Sequence, residues 1–339
     1  MKSIQRHAII TGGAGFIGSH LVDRLLGEPG WRVTVVDNFH PLYPRAVKES
    51  NIAKHAGDSR FTFIEGSILE DGLLEPALRK APGSHTVLVH LAALVGVRSS
   101  IAEPIAYHQV NVTGTLKLLE LARTHRVAHF MLASSSSVYG EHPGTPWKEA
   151  IDHLQPISPY AASKLAAEAY VKVYARLHGM DATVLRFFTV YGPRQRPDLA
   201  IHSFFRKVSE GLPIPLFGDG TTQRDYTYVG DIINGVRAAM DRPMQRRPGQ
   251  GAYEVFNLGN SETIALGDLI AVIEESAGRK AIIERRPAQP GDVSRTHADI
   301  AKARELLGYS PQTRLIDGMH RFADWHRTQA EGCRAVPGT

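Results

Sequence analysis

Short apolar runs alternate with longer segments whose apolar residues recur at helical spacing over roughly the first 190 positions. His7–Ile10, Val33–Val36, Phe61–Ile64, Thr86–Leu91, Phe130–Ala133 and Thr183–Phe188 read as buried strands. Between them, Phe16, Ile17, Leu21, Val22, Leu25 and Leu26 trace one helix face, and Asp71–Lys80, Pro104–Arg126 and Tyr160–His178 are further helices. Strands and helices in strict alternation predict an α/β fold of the Rossmann kind, a doubly wound parallel sheet. The Pro-, Lys- and Arg-rich stretch Asn38–Asp58 is expected as a loop carrying a short helix. Beyond Phe188 the pattern breaks at Pro193, Pro197, Pro213, Pro215, Gly218 and Gly220. Helices at Ala200–Gly211, Asp231–Asp241 and Leu266–Ala277 alternate there with short strands near Ile214–Phe217, Asp225–Tyr228 and Tyr253–Asn257. A last helix, Leu315–Arg327, precedes a polar tail expected to be loose. The expected division is a first unit over 1–188 with returning segments near 225–260, a smaller interleaved α/β lobe over 189–330 that binds substrate, and a tail at 331–339.

Composition narrows the classes. With 339 residues, 43% hydrophobic and 22% charged, the chain suits an ordinary soluble protein of two lobes. No apolar run approaches a membrane span, and no signal-peptide core precedes the first strand, so a cytoplasmic enzyme without a membrane partner is expected. One cysteine, Cys333, excludes a disulfide framework. The net charge of +5 is spread along the chain without a basic run, which argues against a nucleic-acid partner. The sixteen histidines show no metal-ligand spacing and are expected mainly at the surface; no metal site is predicted.

The first strand ends in glycines. Gly12, Gly15 and Gly18 are spaced for a sharp turn, a close approach of backbone to a pyrophosphate, and tight packing of helix on strand. Phe16 and Ile17 open the helix whose N-terminus faces the phosphates. The second strand ends in Asp37, at the distance expected of a carboxylate that binds ribose hydroxyls and repels a 2′-phosphate, which favours NAD over NADP. The alternative for Asp37 is a turn residue at a strand end. Ser67 and Ile68 follow the third strand, where an adenine can be met, and Ala92 and Ala93 follow the fourth, small enough to admit a cofactor.

Tyr160 and Lys164 lie four residues apart, on one face of a helix. A phenol titrating near 10 is a poor base at neutral pH, and a nearby ammonium favours its ionised form. The pair then serves as general base and, in reverse, general acid on a hydroxyl. A surface pair of no consequence is the alternative.

These stretches resemble the extended short-chain dehydrogenase/reductase family, in particular its NAD-dependent nucleotide-sugar 4-epimerases, and most of all those acting on UDP-glucuronate. The matching segments are TGGAGFIGSH (11–20), HLAALVGVRSS (90–100), NVTGT (111–115), SSSSVYG (134–140), SPYAASK (158–164), LRFFTVYGPRQRP (185–197), QRDYTYVGDI (223–232), FNLGNSETI (256–264) and QPGDV (289–293). The resemblance implies that Tyr160 is the catalytic base and that Lys164 holds the nicotinamide ribose. Ser135 would bond the reacting oxygen, with Ser137 sharing that role. It adds Asn38, Leu91, Asn111 and Phe187 to the cofactor contacts. For the UDP-sugar it implies Arg98, the serines Ser135, Ser136 and Ser137, Thr189, Arg196, Phe217, Arg224, Tyr226 and Asp292. Some of the four serines are alternatively strand-end residues serving their own backbone, Ser136 first among them. Asp225 falls in the same uridine-side segment, and Arg224-Asp225 is alternatively a surface ion pair. Related dehydratases carry an Asp-Glu pair where Ser136 and Ser137 stand, and decarboxylating relatives carry a Glu at the position of Ser137. Gln289 stands where several relatives carry an Arg. The expected reaction is 4-epimerisation of a UDP-sugar, with UDP-glucose or UDP-N-acetylglucosamine epimerisation, or another nucleotide-sugar oxidoreduction, as the alternative. In relatives the long helices pair across a two-fold axis, so a homodimer is expected; their apolar faces alternatively pack on the sheet.

Overall fold

The computed structural model describes residues 6–80, 85–242, 251–287 and 293–334, with side chains as far as 329. In chain order the strands are β1 (Arg6–Thr11), β2 (Trp31–Asp37), β3 (Phe61–Glu65), β4 (Thr86–His90), β5 (His129–Ser135), β6 (Asp181–Phe187), β7 (Thr189–Tyr191), β8 (Pro213–Phe217), β9 (Gln223–Arg224), β10 (Tyr226–Tyr228), β11 (Tyr253–Leu258), β12 (Ile264–Ala265) and β13 (Ile282–Arg286). The helices are α1 (Phe16–Leu26), α2 (Arg45–Ile52), α3 (Glu75–Lys80), α4 (Val97–Ala102), α5 (Pro104–His108), α6 (Gly114–Thr124), α7 (Pro159–His178), α8 (Ala200–Glu210), α9 (Val229–Asp241), α10 (Leu266–Ala277), α11 (Ala301–Leu307) and α12 (Leu315–Arg334).

Seven strands form one parallel sheet in the order β3-β2-β1-β4-β5-β6-β11. The order reverses between β1 and β4, which places a ligand crevice outside the carboxyl ends of those strands. The central strands β1, β2, β4 and β6 are buried almost throughout, as a sheet covered on both faces requires. Val33, Val35, Leu21 and Leu25 pack one face; Ile9, Leu88, Leu118 and Val171 pack the other. Short two-stranded pairings, β7 with β10, β8 with β13 and β9 with β12, lie beyond β6 around a separate apolar cluster that includes Tyr191, Phe205 and Phe322.

Several expectations change. Tyr253–Leu258, expected as a short strand, is the seventh strand of the main sheet, hydrogen-bonded in register to β6. The helix expected over 104–126 is interrupted: Gln109–Thr113 winds as a π turn between α5 and α6. Val110, Val112 and Thr113 are β-branched and Gly114 follows, a run with little helical preference of its own. The crossover helix expected from Asp71 starts only at Glu75. The final helix continues to Arg334, so 331–334 are not a loose tail, while 335–339 lie outside the described residues. Most histidines keep solvent exposure as expected, but His7, His90, His129 and His202 are buried. His7 pairs with Thr34 (2.9 Å), His90 with Thr11 (2.8 Å) and His129 with Thr183 (2.9 Å), each between neighbouring strands, and burial keeps their rings neutral. A threonine hydroxyl opposite the ring nitrogen lets a polar side chain occupy a covered sheet.

Candidate active site

The turn after β1 is as tight as the glycines predict. Gly12 has φ 72, and a Cβ there would meet Ala92 N at 2.7 Å; a Cβ on Gly18 would meet Gly12 O at 2.3 Å. At Gly15 the outward direction is open, with only Gly12 O and the Tyr43 hydroxyl near. That hydroxyl is buried without a protein partner. Asp37, at the end of β2, accepts from Ala14 N (3.2 Å) and Phe39 N (2.9 Å), and Lys48 Nζ stands 3.7 Å from it. The carboxylate therefore also fastens the glycine turn, so the strand-end reading and the ribose reading of Asp37 are compatible.

Above these residues opens a cavity of about 940 Å³. Its floor and near end include Gly12, Gly15, Phe16, Ile17, Gly18, Asp37 and Asn38, then Ser67 and Ile68, then Leu91, Ala92 and Ala93. Ser135, Tyr160, Lys164 and Phe187 line its middle. Arg98, Thr189, Arg196, Phe217, Arg224 and Tyr226 line the far side. Ser136 and Ser137 do not line it, although Ser137 N and Oγ both lie 3.1 Å from Ser135 Oγ. Asn111 does not line it either. Its amide accepts from Leu94 N (2.8 Å) and donates to Leu94 O (2.9 Å) and Ser163 Oγ (3.0 Å), so it braces the Leu91–Gly96 segment from behind. The π turn is what points Asn111 at that segment. Asp292 and Gln289 lie outside the described residues.

Helix α7 starts where Ser158 caps it, its Oγ accepting from Ala161 N at 3.1 Å, with Pro159 in the first turn. This places Tyr160 on the first turn and Lys164 one turn on. The Tyr107 ring meets the Tyr160 ring edge to face at 6.3 Å, and the Tyr107 hydroxyl donates to Val95 O at 3.0 Å. Burial pushes the Tyr160 phenol up, while a hydrogen bond with Ser135 and the charge of Arg196 pull it down. Lys164 lies one turn further along α7. Its Nζ donates to the Ala133 carbonyl at 3.0 Å, and burial brings it down to about 8, opposed by Glu168. Glu168 is itself held under the end of β5: Ser134 Oγ donates to it, and Arg186 binds it through Nε (3.0 Å) and Nη2 (2.7 Å). Ser134 thus serves the scaffold, and Ser136 is buried outside the cleft.

On the far side, Arg196 spends Nε (3.0 Å) and Nη2 (2.6 Å) on Asp198, and its charge still reaches Tyr43, Lys48, Tyr107 and Tyr160. The Arg98 guanidinium lies 5.1 Å from the Phe217 ring centre. Arg224 Nη1 donates to the Gln223 carbonyl at 2.9 Å, and no ion pair joins it to Asp225. Asp225 is fully buried and outside the cleft. It accepts from Asn260 N (2.7 Å), Ser261 N (3.0 Å) and Ala298 N (3.1 Å), so neither the surface pair nor a uridine contact describes it. Lining residues that the sequence reading missed include Tyr43, Lys48, Val95 and Gln195. Lys48 had a signal, a lysine on the short helix expected beside Asp37; Gln195 had none.

A doubly wound sheet with a glycine turn at its switch point, a carboxylate ending β2 and a Tyr–Lys pair beside a serine defines a dinucleotide-dependent enzyme of the short-chain dehydrogenase/reductase type. Among the described residues no cluster of His, Cys, Asp or Glu is arranged to hold a metal, and no helix is long and apolar enough to cross a membrane. The chain belongs to the family described as GDP-mannose 4,6 dehydratase, which matches residues 9–322. It is 37% identical over 330 residues to the UDP-glucuronate 4-epimerase of Thermodesulfobacterium geofontis, covering 97% of this chain and 98% of that one. An uncharacterized UDP-glucose epimerase of Bacillus subtilis is 38% identical over 92% of this chain and 95% of its own. Among solved structures, the UDP-glucuronic acid 4-epimerase of Bacillus cereus in complex with UDP-glucuronic acid and NAD superposes with a TM-score of 0.88 at 37% identity, over 95% of this chain and 99% of that one.

Proposed function

We propose that this chain is an NAD-dependent 4-epimerase of UDP-sugars that converts UDP-glucuronate to UDP-galacturonate through a transient 4-keto sugar, without loss of CO₂. The observation that carries this reading is the set of groups around Tyr160: a serine hydroxyl and an arginine and, among the described residues, no carboxyl group. Among the described residues, the acids lining the cleft are Asp37, beside the glycine turn, and Asp219, just past β8. Eliminating water needs an acid and a base beside the reacting hydroxyl; Ser136 and Ser137 stand in those positions. The family's name thus describes a reaction for which this site lacks the groups. The named relatives at about the same identity, whose descriptions specify UDP-glucuronate or UDP-glucuronic acid, support the substrate.

NAD fits the near end of the cavity. The space that a Cβ would fill at Gly12 and Gly18 is closed by backbone, Gly15 opens outward, and the orphaned Tyr43 hydroxyl is a donor facing the same opening. Bound there, NAD would supply the hydride removal and return that inversion at C4 needs. Tyr160 takes the proton of the 4-hydroxyl and gives it back. Ser135 holds the reacting oxygen, and Lys164, steadied on Ala133, holds the nicotinamide ribose. The cations Arg98, Arg196 and Arg224 outnumber Asp219 on the sugar side, which suits a diphosphate and a C5 carboxylate. A 4-keto uronate loses CO₂ when its carboxylate bond aligns with the carbonyl π system. Thr189, with Ser137 behind Ser135, holds the carboxylate out of that alignment. Thr189→Val is expected to release pentose product from UDP-glucuronate; unchanged turnover without pentose rejects this role.

Residues 1–188 with β11 serve the cofactor and the elements from β7 onward serve the sugar. The chain acts as a homodimer: α7 buries Ala167, Val171 and Ala175 inward but exposes Tyr170, Val173 and Leu177, and Ile105 on neighbouring α5 is exposed as well. Light scattering on wild type and Leu177→Glu tests this, with a monomeric wild type as the contrary result. For the reaction, purified protein is given UDP-glucuronate and, separately, UDP-glucose, with products resolved by NMR. Formation of the galacto isomer of UDP-glucuronate without net NADH or pentose is the expected result. Conversion of UDP-glucose alone keeps the mechanism and rejects the carboxylate contacts; steady NADH formation rejects epimerisation.

A further inference from the structure

Helix α1 presents its first turn to the cleft and its outer face to a segment distant in sequence. His20 Nε2 lies 2.9 Å from the Pro193 carbonyl, and Arg194 Nη2 donates to Asp23 Oδ2 at 2.8 Å. The same carboxylate meets Lys54 Nζ at 2.9 Å and His55 Nε2 at 2.7 Å. Burial holds the His20 ring down to about 4, so the ring is neutral and its Nε2–H donates to the carbonyl. Two bonds from one helix thus tie down the turn that follows β7.

That turn is built at a conformational disadvantage. Gln195 N donates to Gly192 O at 3.1 Å, closing four residues with Pro193 second and Arg194 third. Arg194 has φ 65, in the left-handed region where glycine or asparagine is the easier occupant of that position. A strained residue that persists is held by what surrounds it, and here the holder is Asp23. The residues that follow, Gln195 and Arg196, line the cleft. Gln195 is fastened by its Nε2 to Val190 O at 3.0 Å, and Arg196 acts electrostatically on Tyr43 at the glycine turn and on Tyr160 at the reacting end. The tie at Arg194 therefore fixes how closely this segment lies over the dinucleotide.

We propose that Asp23 and Arg194 are positioning residues that clasp the Gly192–Arg196 turn over bound NAD and keep the cofactor resident through both halves of the reaction. This rests on the NAD-dependent epimerase reading. An epimerase returns the hydride it has removed, so its cofactor must outstay the keto sugar; an enzyme that releases oxidised product has no such need.

The test compares wild type, Arg194→Gly and Asp23→Asn as full chains. Glycine at 194 relieves the backbone while removing the tie, so misfolding is not its expected fault. NAD content after gel filtration, NAD release into excess etheno-NAD, and turnover with and without added NAD are measured. Wild type is expected to keep its NAD and need none. Each variant is expected to release NAD about 10-fold faster or more, the loss of one charged hydrogen bond. Each is also expected to recover to within about twofold of wild-type kcat at saturating NAD. The double variant should be no worse than either single one. Wild-type release rates in Arg194→Gly, or a kcat deficit that saturating NAD does not restore, overturn the clasp. A wild type that neither keeps nor uses NAD rejects the functional reading itself, and the wild-type measurement tells that failure from the first.

Discussion

On the sheet side the cleft is walled largely by backbone, at Gly12, Gly18 and Ala92, and a methyl group added at either glycine would collide with that backbone. On the opposite side the cleft is walled by long side chains, Arg196, Arg224 and Phe217, carried on short strands and turns. The first surface forms as β1, β4 and α1 pack, and cannot be altered without disturbing the sheet. The second is adjustable, because a guanidinium or a ring can be exchanged while β7, β8 and β9 keep their pairings. A cofactor shared by a whole family suits the first kind of wall, and a substrate that differs among its members suits the second.

The largest effect is expected where the two walls meet. Tyr160→Phe removes the proton carrier while leaving the ring, and kcat should fall about 10²- to 10⁴-fold with NAD still bound, by NMR assay and NAD content. Gly18→Val comes next. It drives carbon into Gly12 O, and NAD content should collapse with a stability loss of about 1–3 kcal/mol in denaturant titration. A Gly18→Val protein that keeps its NAD breaks the contrast between the walls. Arg196→Met should act chiefly on the second wall. Its kcat/KM with UDP-glucuronate should drop by about 10- to 100-fold, while its melting temperature and NAD content stay near wild type.

The smallest effect separates activity from stability. Lys164 is lowered to about 8 in the folded chain, so above that pH the unfolded chain holds more protons than the folded one. Stability contributed by this group therefore rises between about 8 and its ordinary value of about 10.5, even as the ammonium beside the active phenol is lost. An alkaline fall in kcat/KM beginning near pH 8, with no matching fall in melting temperature, is expected; Lys164→Arg should shift that fall to higher pH.

What the sequence disclosed follows from chain proximity. Gly12, Gly18 and Asp37 sit at the ends of adjacent strands, and Tyr160 and Lys164 share one helix turn, so local spacing was enough to place them. The parts it concealed depend on segments that meet only in space. Nothing in the string near Gln195 shows that α1 reaches it. The run of like residues Ser134–Ser137 gave no means of telling which one Glu168 would take. Asp225 read as a uridine-side residue, or alternatively as a surface partner of Arg224, because its partners, the amides of Asn260, Ser261 and Ala298, are backbone atoms supplied by later loops. The buried histidines His7, His90 and His129 were concealed for the same reason, since Thr34, Thr11 and Thr183 face them from other strands.

The place of β11 bears on how the chain can be made. Translation delivers β1 through β6 well before Tyr253, so β6, paired to β5 on one side, leaves an open edge on the other whose amides and carbonyls have no partner, the kind of edge that recruits other chains. Only when residues 253–258 emerge is that edge covered, by a strand from the far end of the sequence. A fragment cut after Phe187 would carry the glycine turn, Asp37, Tyr160 and Lys164 and still end in a sticky margin. Grafting a foreign sugar-binding half onto this sheet therefore succeeds only if the donor brings an edge strand of its own.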